Sequence, residues 1–332
     1  MSRHKLWLTA LLLGVMGCAG QYPQSTLAPR SDFGVAIDHL FTTIFWWAVA
    51  VFVVVESLLL FAILRFRARP GAPTPKPLHG HTALEIGWTI APAVILVFIA
   101  VPTIQTIFHT ERAAPADALR VEVVGHQWWW KFTYPDLGVV TANELHLPVG
   151  KPVSLTMTSA DVIHSFWAPG LGGKRDVILG RTNHLTFTPD AVGTYLGQCA
   201  EFCGESHANM RLRVMVDSAA GFDAWVARQQ GGPAPVAAGS PEERGRQVFA
   251  RSACIACHTM EDVPAARAVL GPNLTHVGSR TMIGSAMMDN SADHLSQWIS
   301  NSAAMKPGSK MPPMALTPED LTALVAYLRS RQ

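Results

Sequence analysis

Two long stretches of the chain carry almost no polar residues. Residues 37–64 are nearly all apolar, longer than the ~20 residues that span the hydrocarbon of a bilayer. Residues 86–107 form a second run, interrupted by Pro92 and Pro102; membrane helices tolerate proline because neighbours re-satisfy the freed backbone groups. The pattern predicts a hairpin of two transmembrane helices. The segment between them carries Arg65, Arg67, Arg69 and Lys76, which predicts a cytoplasmic connection with both flanks outside. Glu56 falls mid-span; a carboxylate there faces protein or a water path, or sits protonated at a helix contact.

From Ala118 the apolar period changes from a continuous run to alternation. Residues 119–124, 128–134, 144–147, 153–158, 184–188 and 210–216 read as short strands divided by Gly and Pro turns, the signature of a β-sandwich or barrel. Trp128, Trp129 and Trp130 are consecutive, so alternation predicts that Trp128 and Trp130 share one face and Trp129 takes the other. Residues 231–240 (Gly-Gly-Pro-Ala-Pro-Val-Ala-Ala-Gly-Ser) are a low-complexity linker. Helical runs at 242–250 and 318–329 then open and close a further domain.

Composition sharpens this picture. The chain has 332 residues, enough for two or three domains, with 49% hydrophobic and only 15% charged residues. A net charge of +2 without a basic stripe argues against nucleic acid as a partner. Residues 1–17 read as an export signal: Arg3, His4 and Lys5 precede an apolar run. Gly17 before Cys18 resembles a bacterial lipoprotein cleavage site, which implies a lipidated Cys18; the alternative is an ordinary signal peptide cut slightly further on.

The other four cysteines lie in two motifs. Cys199, Cys203, His207 and Met210 form Cys-x3-Cys-x3-His-x2-Met. Thiolate, imidazole and thioether together suit copper and exclude hard cations; a zinc site would more often use Cys-x2-Cys or paired histidines. A disulfide between Cys199 and Cys203 is the alternative, and it leaves His207 and Met210 without a role. His164 follows a strand-like run and would reach the same site from a neighbouring loop. Cys254-Ile255-Ala256-Cys257-His258 is a haem c attachment motif: two thiols form thioethers to the haem and the adjacent histidine ligates iron. A methionine before the last helix would complete the iron shell, and Lys310-Met311-Pro312-Pro313-Met314 offers two.

Residues 38–216 resemble cytochrome c oxidase subunit II, and the C-terminal segment resembles a class I cytochrome c. The resemblance implies a binuclear copper (CuA) centre bridged by Cys199 and Cys203, with His164 and His207 as terminal ligands, Met210 as thioether and Glu201 as main-chain oxygen donor. It implies Trp128 as the residue through which electrons enter, although the usual pattern has Tyr where this chain has Trp129. The segment around Glu85 resembles the start of the family's second helix, implying that Glu85 sits at the mouth of a proton path; a helix N-terminal acid is the plain alternative. The Glu201 side chain is further implied in a magnesium site at the subunit I interface, with Asp176 and Arg181 nearby. The methionine just before proline, Met311, matches the haem ligand.

The expected architecture is therefore multidomain: signal peptide 1–17; residues 18–112 with transmembrane helices at about 37–64 and 86–107; a cupredoxin-like Greek-key β-sandwich at 113–228; a linker at 229–240; and an all-α cytochrome c domain at 241–332. The implied activity is that of an oxidase subunit. It takes electrons through haem c, passes them to CuA and on to subunit I, where oxygen is reduced to water with proton translocation. Expected partners are subunits I and III, a donor cytochrome or quinol–cytochrome c reductase, and the lipid membrane. The expected location is the bacterial inner membrane, with the copper and haem domains on the periplasmic side. The alternatives are a CuA subunit of a nitric oxide reductase and, in a different class, a copper-delivery lipoprotein.

Overall fold

The computed structural model describes residues 22–67, 69–71, 77 and 79–332. The expected signal segment, Cys18 and Lys76 lie outside the described residues. Two long helices form one compact unit, residues 35–113. Helix α1 spans Asp32–Arg65 and α2 spans Thr82–Thr110, both extending beyond the apolar runs, α1 almost wholly at its N-terminal end. Both are long and apolar enough to cross a membrane. Their apolar side chains are largely exposed, as a lipid-facing surface requires. Pro92 and Pro102 lie inside α2 without ending it, and Trp47 stacks on Phe98 across the pair.

The second unit takes in residues 114–332 together with the residues preceding Val35. Its first part is a sandwich of two five-stranded sheets. One sheet has the order β3-β2-β1-β5-β8, the other β4-β10-β9-β6-β7. The strands are β1 Leu119–His126, β2 Trp129–Tyr134, β3 Val139–Ala142, β4 Glu144–Pro148, β5 Val153–Ser159, β6 His164–Trp167, β7 Arg175–Val177, β8 Asn183–Phe187, β9 Gly193–Cys199 and β10 Arg211–Asp217. Most pairs are antiparallel, but β1 runs parallel to β5 and β4 parallel to β10. The alternating burial of β1 and β5 places Val121, Val123, Leu155 and Met157 in the shared core. Helix α3, Ala219–Gln230, closes that core with Phe222 and Trp225 against Tyr134.

The tryptophan triplet departs from simple alternation. Gln127 and Trp128 form a turn, and β2 begins at Trp129. Trp128 is therefore not on the strand and does not share a strand face with Trp130. Trp130 is fully buried, while Trp129 stacks on His126 with ring centroids 4.2 Å apart.

The linker leads into the C-terminal part, whose helices are α4 Pro241–Arg251, α5 Ala292–Met305 and α6 Pro318–Ser330. Ser240 and Thr317 cap α4 and α6 through their side chains, and proline follows each cap. A two-stranded ribbon, β11 Met282–Ile283 and β12 Met288–Asp289, projects from this domain. Val248, Phe249, Leu295, Leu324 and Tyr327 form its core.

Candidate metal centre

Backbone pairing brings the thiol segment and the distant histidine together. Strand β6 lies beside β9 with Phe166 opposite Cys199. The Ala200 N–H donates to Ser165 O, and the Cys199 N–H donates to Met210 O at 2.9 Å. The chain between β9 and β10 thus folds back on itself, returning Cys203, His207 and Met210 to Cys199. Gly204 makes the reversal possible. Its φ is +111°, and a Cβ there would lie 3.1 Å from Trp128 Cζ2.

The donors converge as follows. Cys199 Sγ and Cys203 Sγ are 3.8 Å apart. A disulfide requires about 2.05 Å, so these are free thiols and the disulfide alternative is not what this geometry holds. His164 Nδ1 is 3.9 Å from Cys199 Sγ, and His207 Nδ1 is 3.5 Å from Cys203 Sγ. Met210 Sδ is 3.9 Å from Cys203 Sγ, and the Glu201 carbonyl oxygen is 3.3 Å from Cys199 Sγ. Each thiol has its own imidazole and its own further donor, the Met210 thioether by Cys203 and the Glu201 carbonyl by Cys199. Thiol, imidazole and thioether donors dominate the set, with His164, Cys199, Cys203 and Met210 buried and His207 half-buried, and they fit a copper pair.

The electrostatics agree with that fit. The hydrogen bond from the Cys203 thiol stabilises the Cys199 thiolate; the same bond, then burial and the neighbouring negative charge, drive the Cys203 pKa well above the ordinary thiol value. A cationic metal bound here would remove that repulsion and keep both as thiolates. Burial acts to lower the pKa of His164, but Cys199 and Asp161 raise it overall. His164 Nε2 lies 2.8 Å from Asp161 Oδ1. The carboxylate accepts from Nε2–H and so leaves Nδ1 directed at the thiol, the arrangement expected behind a metal-bound histidine. Asp161 also accepts from the Gln127 and Val162 amides. It lies three residues before His164, and a carboxylate so placed was the readable signal that sequence reasoning passed over.

Trp128 sits directly on the loop: its Nε1–H donates to Cys203 O at 3.0 Å, and Gln127 Nε2 donates to the same oxygen at 2.8 Å. The Glu201 side chain is exposed, and among the described residues no other carboxylate is grouped with it at metal-binding distance. Glu85 lies in the first turn of α2, where Oε1 accepts from the His81 N–H at 3.3 Å while His81 Nδ1 accepts from the Leu84 N–H. Those contacts cap the helix.

In the C-terminal domain, His258 Nδ1 is 2.7 Å from Pro272 O. Only the ring nitrogen can donate to a carbonyl, so Nε2 is left as a free ligand atom. Burial holds the His258 pKa below its usual value, favouring the neutral ring that binds iron. Cys254 and Cys257 are free thiols beside it. A Cβ on Gly271 would come within 2.6 Å of His258 Cε1, so the glycine keeps the face of the imidazole clear. Met311 and Met314 both border the core of this domain together with Cys254 and Ile255. These residues fit a haem.

A copper-suited donor cluster on a cupredoxin-like sandwich, carried by two membrane-length helices and followed by a small helical haem domain, defines a membrane-anchored electron-transfer protein. Residues 28–106 match the cytochrome c oxidase subunit II transmembrane domain, 138–218 its periplasmic domain, and 242–332 cytochrome c. Cytochrome c oxidase subunit 2 of Alkalihalophilus pseudofirmus is 36% identical, over 98% of this chain and 98% of that one; the Bacillus subtilis subunit is 32% identical at the same coverage. Among solved structures, the periplasmic domain of subunit II of the Bradyrhizobium japonicum cytochrome oxidase is 33% identical, covering 36% of this chain and 97% of that chain at a TM-score of 0.34. The chain belongs to the cytochrome c oxidase subunit II family. The nitric oxide reductase and copper-delivery alternatives are not favoured.

Proposed function

We propose that this chain is the electron-receiving subunit of a respiratory oxidase, collecting electrons in its C-terminal domain and delivering them through its copper domain to subunit I. The observation that carries the reading is the convergence of six donors from three separate segments: His164 on β6, Cys199 on β9, and Glu201, Cys203, His207 and Met210 on the loop that follows. When bound, the copper pair and a haem held covalently by Cys254 and Cys257 supply one-electron redox chemistry. The chain's own residues hold, orient and dry those groups. Cys199 and Cys203 as thiolates, His164 and His207 through their imidazoles, the Met210 thioether and the Glu201 carbonyl would hold the copper pair. Asp161 and Pro272 fix the tautomers of His164 and His258. Trp128, against the Cys203 carbonyl, is the residue through which electrons enter the copper domain.

Met311 is the methionine that would ligate the haem iron. The exposed Glu201 carboxylate is available to a magnesium ion shared with subunit I, and Glu85 to a proton path in that subunit. The copper and haem domains lie on the periplasmic side of the bacterial inner membrane, with Cys18 as a lipid anchor. Subunits I and III and a donor cytochrome or quinol–cytochrome c reductase are the partners.

The detergent-solubilised chain should carry two coppers and one haem. The haem should survive acidic-acetone extraction, and the oxidised copper signal in electron paramagnetic resonance should be that of one electron shared by two metals. One copper per chain, zinc in its place, or an extractable haem would refute the assignment.

A further inference from the structure

The haem domain lies against the copper domain through buried polar contacts that a loose tether does not require. Glu144, the first residue of β4, is only 3% exposed. Its carboxylate accepts from the Thr281 N–H at 2.9 Å, the Thr281 hydroxyl at 2.5 Å and the Met282 N–H at 2.9 Å. All three donors belong to the haem domain, at the start of the β11–β12 ribbon. A buried carboxylate is expensive unless it is hydrogen-bonded; here all three donors converge on Oε1, and the Thr281 N–H also reaches Oε2 at 3.3 Å.

A second point lies at the far end of the ribbon. Its connecting residues Gly284, Ser285 and Ala286 all have positive φ, between +56° and +65°, and Ser285 is buried. Ser285 Oγ donates to Trp128 O at 2.6 Å. Lys306, also only 3% exposed, donates to the same carbonyl at 2.6 Å and to Ser285 Oγ at 2.8 Å. Beyond it, a Cβ on Gly308 would touch the Trp128 ring at 3.1 Å, and Lys310 Nζ donates to Gln127 Oε1 at 2.8 Å. The loop that approaches the tryptophan therefore continues directly into Met311. Trp128 in turn bonds the Cys203 carbonyl.

We infer that Glu144 and Lys306 are positioning residues, a two-point latch that seats the haem domain on Trp128 in one fixed pose, so that electrons reach the copper domain from a docked partner. The inference rests on the electron-receiving reading above. A flexible ten-residue linker would supply only proximity; the latch supplies orientation. The carboxylate belongs to β4 and the carbonyl to the β1–β2 turn, so both anchor points lie on the copper domain.

The test uses the complete oxidase, in its wild-type form and as Glu144→Ala, Lys306→Met and Lys306→Arg. Amide hydrogen exchange at Thr281 and Met282 reads the latch without reference to metal or activity. Photochemical reduction of the haem, followed by the appearance of reduced copper, reads delivery. Glu144→Ala should speed exchange at both amides and slow haem-to-copper transfer, each by about tenfold or more. Lys306→Met should slow transfer similarly, and Lys306→Arg should recover part of it. Direct reduction of copper by a small-molecule reductant should be unchanged in all three. If Glu144→Ala fails to assemble, Thr281→Val, which removes one donor and leaves the carboxylate, should give the same signs at smaller size. Wild-type exchange and wild-type transfer in the variants would overturn the latch while leaving the proposed function intact. Absence of haem-to-copper transfer in the wild-type oxidase would instead overturn the proposed function.

Discussion

Gly125→Ala tests the copper site with the least possible chemistry. Gly125 lies on β1, opposite Trp130 on one side and Ser159 on the other. Its backbone is not left-handed, so alanine brings no conformational strain; it should gain the few tenths to about 1 kcal/mol that glycine forfeits in a strand. The added Cβ, however, would lie 2.8 Å from His164 Cδ2 and 3.1 Å from its Cγ. Carbon atoms in contact prefer about 3.5–4.0 Å, so the ring must retreat by about 0.7–1.2 Å. It has little room: His164 is fully buried, bonded to Asp161 at 2.8 Å and edged by Trp130. Metal–ligand distances tolerate about 0.2 Å, several times less than the displacement. Copper affinity should therefore fall by about 10–100-fold, the usual cost of misplacing a ligand's support, and the copper hyperfine pattern should change. The fold should survive with a loss of about 1–3 kcal/mol from overpacking. Chelator competition and electron paramagnetic resonance measure the first effects, and thermal unfolding of the metal-free protein measures the last. A variant that retains both coppers with unaltered affinity and spectrum would show that His164 does not bind copper in this position.

Two further outcomes follow from particular contacts. Asp161→Ala leaves the Nε2–H of His164 and the Gln127 and Val162 amides without their acceptor. Copper retention against a chelator should weaken by about 10-fold or more, and unchanged retention would mean that the carboxylate does not orient the ligand. Gly245→Ala would put a Cβ 2.0 Å from Ala323 O and 2.6 Å from Tyr327 Cβ, where α4 crosses α6. The helix-propensity gain of about 1 kcal/mol cannot offset a clash with backbone, so melting followed at the haem band should occur at lower temperature while the copper domain's transition stays put; an unshifted haem transition would contradict the close crossing.

The class of this protein was written in local pattern. Long, almost wholly apolar runs announce helices for lipid because they exceed the ~20 residues that span the hydrocarbon. The two cysteine motifs announce their metals because thiolate, imidazole and thioether chemistry depends on residue type and short spacing alone. The alternating runs revealed the sandwich, but β3, β6, β7 and β9 are too short or too irregular in burial to read by period, and α3 and α5 went unread between clearer signals.

What tertiary structure decided was every relation between segments. The turn at Gln127 and Trp128 takes Trp128 off the strand and onto the Cys203 carbonyl, which no alternation rule anticipates. Pairing of β6 with β9 brings His164 to Cys199 across 35 residues of sequence. Glu144 and Lys306 look like an ordinary strand residue and an ordinary surface lysine until the copper and haem domains meet over them. A hydrogen bond is specified by where two backbones meet, and that meeting is settled by the packing of whole sheets and domains. The sequence records which donors and acceptors exist; only the folded chain assigns them to one another.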